Sequence, residues 1–271
     1  MSTELLVVCS DLHAGSTKAL FPPEYSTIDM EKVIGQNGLQ EWLWECWEDA
    51  WGRVMDYVGY DPWSFLFVGD AIEGLHHRRD HLCLTEVSDQ VEVARCLLEP
   101  YILGASSKFF TLGTQTHTEN TPEVNLARVL GGEPHPDTGE PCPNRWNLSL
   151  NGFPFVARHH TSVTSREYLR GSALSIELGN EQQAAVRRGY PPPRGLITAH
   201  RHMADYYTDG NNFSIVSGPW QMTTRFGHKT FSPMIPEPSL IVLDTRGIPG
   251  GGMPRVEIFK YTPAPPTEVK I

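Results

Sequence analysis

An aspartate and a histidine, Asp11 and His13, stand two residues apart just past the apolar run Leu5–Cys9. In extended backbone residues i and i+2 point to one side, so this pair is able to converge on a point beyond a strand end. Residues of the same two types follow other strand-like runs. Asp70 ends WSFLFVGD (63–70), His117 lies past KFFTLG (108–113), His159 and His160 end FPFVARHH, and His200 and His202 end PPPRGLITAHRH (191–202). Imidazole and carboxylate suit Zn, Mn, Fe or Ni, and a carboxylate can bridge two ions. Two ions about 3.5–4 Å apart can hold a hydroxide and clamp a phosphoryl group during in-line attack. Each pair alone is ordinary turn chemistry; their repetition at successive strand ends, where open α/β sheets form their sites, is the signal.

The elements that must position these residues are legible from hydrophobic periodicity. Leu5–Cys9, 63–70 with its Gly-Asp turn, and 108–113 with its Gly stop are short buried-strand patterns. Residues 39–58 place Leu39, Trp42, Leu43, Cys46, Trp47, Ala50, Trp51 and Val54 at helical spacing, which predicts a helix packing a tryptophan stripe inward. Further helices are predicted over 86–103, 122–130 and 166–188. Residues 14–38 and 131–145 are rich in loop formers. Residues 146–160 alternate around Asn151-Gly152, a hairpin signature. The runs NFSIV, SLIVLD and PRVEIF add strands toward the end. The order is βαβαβ followed by a strand-rich half, consistent with one domain over 1–271, its motif-bearing part spanning 5–205 and the part 206–271 completing a second sheet.

The chain has 271 residues and a formal charge of −10, which argues against a broad nucleic-acid surface, since polyanion affinity comes from clustered Lys and Arg. Its five cysteines are scattered without a CxxC pair, so neither a disulfide framework nor a thiolate zinc site is indicated. A reducing cytoplasm is the expected location, with no signal peptide, membrane span or membrane partner.

SDLHAG, FVGDAIEG, LGTQTH, a strand ending in His-His, and TAHRH resemble, in order, the D-x-H, G-D, G-N-H-D/E, H and G-H-x-H motifs of the calcineurin-like metallophosphoesterase superfamily. The resemblance spans residues 7–202. DLHAGS, GDAIEGLHH and GPWQ are similar to a branch often carried by bacteriophages and prophages, a resemblance that implies a bacterial host's cytoplasm if the protein is phage-encoded. The resemblance implies a four-layer α/β/β/α sandwich of two mixed sheets flanked by helices. It also implies hydrolysis of a phosphate ester by a hydroxide held between two divalent transition metal ions. Asp11, His13, Asp70 and His202 would hold one ion, and Asp70, His159 and His200 the other. His160 competes with His159, since neighbours on a strand point oppositely. The third motif departs from the family: Gly113-Thr114-Gln115-Thr116-His117 lacks its asparagine, leaving Thr114 or Gln115 to offer a neutral oxygen. His117 is the expected proton donor.

His76, His77, Arg78 and Arg79 follow the Gly-Asp turn and are candidate rim residues for substrate phosphate, Arg being suited to bidentate contacts. HHRRDH (76–81) brushes against the H-x-H-x-D-H signature of metallo-β-lactamase-like hydrolases, but Arg78 stands where that motif needs His. Glu73 is a candidate hydrogen-bond partner of a metal ligand. The acidic balance favours a small, nucleotide-like phosphate ester, as a phosphodiesterase or phosphatase would take. The rival readings are a DNA nuclease, similar to the family's repair exonucleases, and a catalytically impaired metal-binding or scaffolding protein. The oligomeric state is left open.

Overall fold

Two five-stranded mixed sheets carry the chain, in a computed structural model that describes residues 3–75, 81–114, 121–161, 170–224 and 235–263. The first sheet has the order β12-β11-β1-β4-β5, built from β1 (Leu5–Cys9), β4 (Trp63–Val68), β5 (Ser107–Thr111), β11 (Ser239–Asp244) and β12 (Arg255–Lys260). Strands β1, β4 and β5 run parallel, and β11 and β12 close one edge antiparallel. The second has the order β6-β7-β8-β10-β9, from β6 (Arg145–Leu150), β7 (Phe153–Arg158), β8 (Gly195–Thr198), β9 (Asp205–Thr208) and β10 (Phe213–Val216). Its central β7, β8 and β10 are parallel. A small hairpin, β2 (Glu24–Ser26) with β3 (Val33–Gly35), lies within the long first loop.

Strand periodicity assigns the layers. In β1, Leu5, Val7 and Cys9 pack into one core with α1 (Gly38–Val58), α2 (Val87–Ile102) and α3 (Thr121–Val129). The alternate residues Leu6 and Val8, with Leu66 and Val68 of β4, face Phe153, Phe155, Ala157, Ile197, Phe213 and Ile215 of the second sheet. On that sheet's far side Val156 and Leu196 meet Leu178 of α4 (Arg170–Arg187). Because successive side chains of a strand point to opposite faces, these three cores define four layers: helices, sheet, sheet, helix.

The tryptophan stripe of α1 is core. Trp47 and Trp51 are fully buried, and Trp47 meets Trp220 edge-on with centroids 4.6 Å apart. The helix starts where the Asn37 side chain accepts from the amides of Leu39 and Gln40 while Gln40 answers onto the Asn37 amide, a capping box. The Asn151-Gly152 turn has φ of +48° and +80°, as the hairpin signature requires.

One expectation is corrected. The strand-rich part 206–271 does not simply complete the second sheet: β10 and most of β9 lie in it, but β11 and β12 join the first sheet beside β1. SLIVLD is buried along its whole length, as a strand inside a covered sheet must be, and the sequence carries no mark of which sheet it enters. Among the described residues no helix is long and apolar enough to cross a membrane.

Candidate metal centre

The parallel strands β1 and β4 end side by side, and the loops beyond them continue the pairing. Asp11 N–H donates to the Gly69 carbonyl, His13 N–H to that of Asp70 and Ala14 N–H to that of Ala71, each at 3.0 Å. Across the sandwich, β7 and β8 deliver His159 and His200, tied by the Ala199 N–H on the His159 carbonyl. Of the seven non-glycine residues with positive φ among those described, five are Asp11, His13, Asp70, His200 and His202. The left-handed region tolerates Asp and His better than most residues but is strained, on the order of 1–3 kcal/mol each, and such strain concentrates at functional sites. Asp11 and His13 therefore converge because each turns left-handed past the strand end, not because they lie on an extended strand face.

Asp70 is central. Its Oδ2 lies 3.0 Å from His159 Nε2, 3.1 Å from Thr114 Oγ1 and 3.7 Å from His13 Nε2, while Oδ1 accepts the Thr114 N–H at 2.5 Å. His13 Nε2 and His202 Nε2 are 3.0 Å apart, and Asp11 Oδ1 sits 3.9 and 3.6 Å from them. That oxygen is buried with no hydrogen-bond partner among the described residues. The ligand atoms form three clusters of metal-binding spacing: Asp11 with His13 and His202, Asp11 with Asp70 and His159, and His159 with His160 and His200. Asp11, His13, Asp70 and His159 are buried, whereas His160 is exposed and His200 and His202 half-buried, so the site opens to solvent on the side of these three histidines.

The imidazoles are oriented from behind. His159 donates from Nδ1 to the Val68 carbonyl at 2.6 Å, and His13 Nδ1 lies 3.0 Å from Glu73 Oε2. Each leaves Nε2 facing the cluster, the arrangement in which an outer hydrogen bond fixes a ligand's tautomer and aim. Glu73 in turn accepts from Gln221 Nε2 at 2.6 Å. The Trp220 N–H holds the Asp11 carbonyl at 2.9 Å, so the Trp47–Trp220 contact links the α1 core to this loop.

The electrostatics of the cluster set buried carboxylates and imidazoles against one another. Burial, with the charge of Asp70 added, pushes Asp11 up to about 6 against the opposing pull of His159 and His13. Burial would lower His13, but the hydrogen bond and charge of Glu73, with Asp70 and Asp11, raise it to about 9. Burial acts likewise on His159, and Asp70 and Asp11 outweigh it to reach about 10. His200 falls to about 4 through burial and the neighbouring His159, and His160 falls for the same two reasons. An orphaned carboxylate oxygen and facing imidazole nitrogens are what divalent cations satisfy.

The structure brings Asp11, His13, Asp70, Thr114, His159, His160, His200 and His202 together. His117, Gln115, His76, His77, Arg78 and Arg79 lie outside the described residues. The expectation that only one of His159 and His160 faces the site is corrected. Both follow the last residue of β7, where the chain bends, so strand alternation no longer applies, and both rings lie beside His200 at centroid distances of 5.2 and 4.9 Å.

Sequence reasoning missed Glu123. From α3 its buried carboxylate accepts the Ala71 N–H and the Gly113 N–H, each at 2.7 Å, stapling the turn after Asp70 to the end of β5. Burial and the charge of Asp70 raise it to about 7 against those two donors. In sequence it is one more acid in a helix's first turn, where acids are common for dipole reasons. Gln221 was missed similarly; only its place in GPWQ hinted at it.

No family model matches the chain, and no curated protein matches it. Among solved structures it is similar to an archaeal phosphodiesterase, at 10% identity over 94% of this chain and 99% of that chain, TM-score 0.44. It is also similar to wild-type Vps29 of Entamoeba histolytica complexed with zinc, at 15% identity over 94% and 98%, TM-score 0.41. A third is the sulfate thiohydrolase SoxB of Thermus thermophilus, at 13% identity over 95% and 56%, TM-score 0.41. Likeness at this level lends none of their activities to this chain.

Proposed function

We propose that this chain is a metal-dependent phosphoesterase of the calcineurin-like kind, acting on a small, nucleotide-like phosphate ester. The observation that carries this reading is Asp70 Oδ2, held between the His13–His202 pair on one side and His159 with Thr114 on the other. Asp11, His13, Asp70 and His202 would hold one ion, and Asp70, His159 and His200 a second. Two bound divalent transition ions lower the pKa of water and neutralise phosphoryl oxygens. The chain supplies the rest: Glu73 and the Val68 carbonyl aim His13 and His159, and Glu123 keeps the Asp70 turn against β5. The half-buried histidine edge admits substrate, and His117 is the proposed donor to the departing oxygen. The acidic surface, −10 overall, favours a small ester over long nucleic acid.

The test is chelator-stripped protein reloaded with Mn, Ni, Zn or Fe and assayed against p-nitrophenyl phosphate, bis-p-nitrophenyl phosphate, nucleotides and single-stranded DNA. Hydrolysis should return with metal, the diester being cleaved at least as well as the monoester. Asp70→Asn should lose metal and activity more completely than a change at either His159 or His160, because the Asp70 carboxylate would help to hold both ions. Full activity in EDTA with no metal by elemental analysis would sink the reading; monoester preference or DNA cleavage would move the substrate class.

A further inference from the structure

Strand alternation sets His160 against His159 as alternatives; the geometry makes the two compatible. The ligand nitrogens of His159, His160 and His200 lie within 4.8 Å of one another, and the rings stand nearly edge to face, at 73° for His159 with His160 and 70° for His160 with His200. The backbone that presents them is anchored on both sides. The Arg158 guanidinium donates to the His160 carbonyl, and the Ala199 N–H donates to the His159 carbonyl at 3.0 Å. The next residue, Thr161, donates its hydroxyl to Glu177 of α4 at 2.6 Å, and Arg158 reaches the Glu177 and Glu181 carboxylates.

Among the described residues, Thr114, the residue after Gly113, is the other contender for this position. Thr114 Oγ1 lies near Asp70 Oδ2, His159 Nε2 and His200 Nδ1, at 3.1, 3.4 and 3.2 Å. A neutral hydroxyl is a poor ligand beside an imidazole for borderline ions, and this one already donates to the carboxylate it would share with the metal. Its backbone N–H bonds the same carboxylate, so Thr114 acts as a clamp on Asp70.

We infer that His160 is a ligand of the second ion, taking the place that the missing asparagine leaves, so that this position is made of three imidazoles and the Asp70 carboxylate. This deepens the proposed function and rests on it. A nitrogen-rich set of this kind favours Zn, Ni or Co over Mn or Mg, whereas the Asp11 side of the centre keeps more oxygen donors.

The experiment is titration of chelator-stripped protein with Co(II), following visible absorption and bound metal by elemental analysis, in wild type, His160→Ala and Thr114→Ala. His160 is exposed, so its removal leaves the core intact, and the affinity for the first ion serves as the folding control. Wild type should take up two ions. His160→Ala should weaken one of them by about tenfold or more and change its absorption, with the other unaltered, and Thr114→Ala should disturb that ion less. Two ions in wild type with unchanged affinities and spectrum in His160→Ala, or a rise in KM alone, would overturn the ligand role and leave the dinuclear reading standing. Loss of the ion in Thr114→Ala but not in His160→Ala would overturn it equally. No bound ion in wild type would remove the proposed function, and this inference with it.

Discussion

At the scale of single residues, the most informative side chain is His117, which stands three residues past the described end of β5's loop, Gln115 being the first beyond it. In-line hydrolysis leaves negative charge on the departing oxygen, and an imidazolium nearby neutralises it. An alkoxide needs that proton; p-nitrophenolate leaves almost unaided. General acid catalysis contributes about 10²–10⁴-fold, so His117→Ala should lose roughly that much against a nucleotide ester and much less against a nitrophenyl ester, with bound metal unchanged. Proportional losses on both substrates together with depleted metal would instead make His117 a ligand.

At the scale of elements, the site is an agreement between strand ends, and glycines set how closely those ends approach. A Cβ on Gly113 would stand 2.2 Å from both the Asp70 amide nitrogen and Asp70 Oδ1, far inside any van der Waals contact. One on Gly69, whose φ is +76°, would meet His159 Nδ1 at 2.7 Å. Gly113→Ala must therefore push the Asp70 turn away from β5 and break the Glu123 staple. The expected outcome is a folded protein with normal far-UV circular dichroism whose metal stoichiometry and activity both collapse. Wild-type metal content in Gly113→Ala would show that the close approach of these two turns does not matter to the centre.

At the scale of the molecule, pH acts on three of the proposed ligands, Asp11, His13 and His159, and on Glu123 beside them. Asp11 and Glu123 are raised from 3.8 and 4.5 to about 6 and 7, and His13 and His159 from 6.5 to about 9 and 10. A group whose folded-state pKa exceeds its unfolded value holds its proton longer in the folded state. Its stabilising contribution is complete below the unfolded pKa and lost as pH rises through the folded one. The metal-free protein should accordingly lose stability from about pH 4 to 7 through the carboxylates and again up to about pH 10 through the imidazoles. Metal reverses this, since it needs the ligands deprotonated, and an ion present at 100 times its Kd stabilises by about 2.7 kcal/mol. Thermal melts with and without Zn should show a metal-induced rise in Tm that is larger at pH 8 than at pH 6. A shift that shrinks over that interval would contradict the ligand assignment.

By itself the sequence determined the local pieces. Short continuous apolar runs marked β1 and β4, alternation around Asn151-Gly152 marked the hairpin that ends in β7, and the helical spacing of Trp47 and Trp51 marked α1, because each depends only on neighbours along the chain. It also placed Asp11, His13, Asp70, His159, His200 and His202 at strand ends, where their residue types already spoke of metal. Tertiary structure decided what depends on distant segments meeting. That β11 and β12 enter the first sheet is set by which edge of β1 remains free. Glu123 became a staple because α3 packs beneath two turns that lie 52 and 10 residues away in sequence. His159 and His160 share one pocket because the chain bends after Arg158 and is held there by Ala199 and α4. Periodicity describes a strand while it lasts, and the candidate ligands Asp11, Asp70, His159 and His200 stand one or two residues beyond, where backbone angles are chosen by what packs around them.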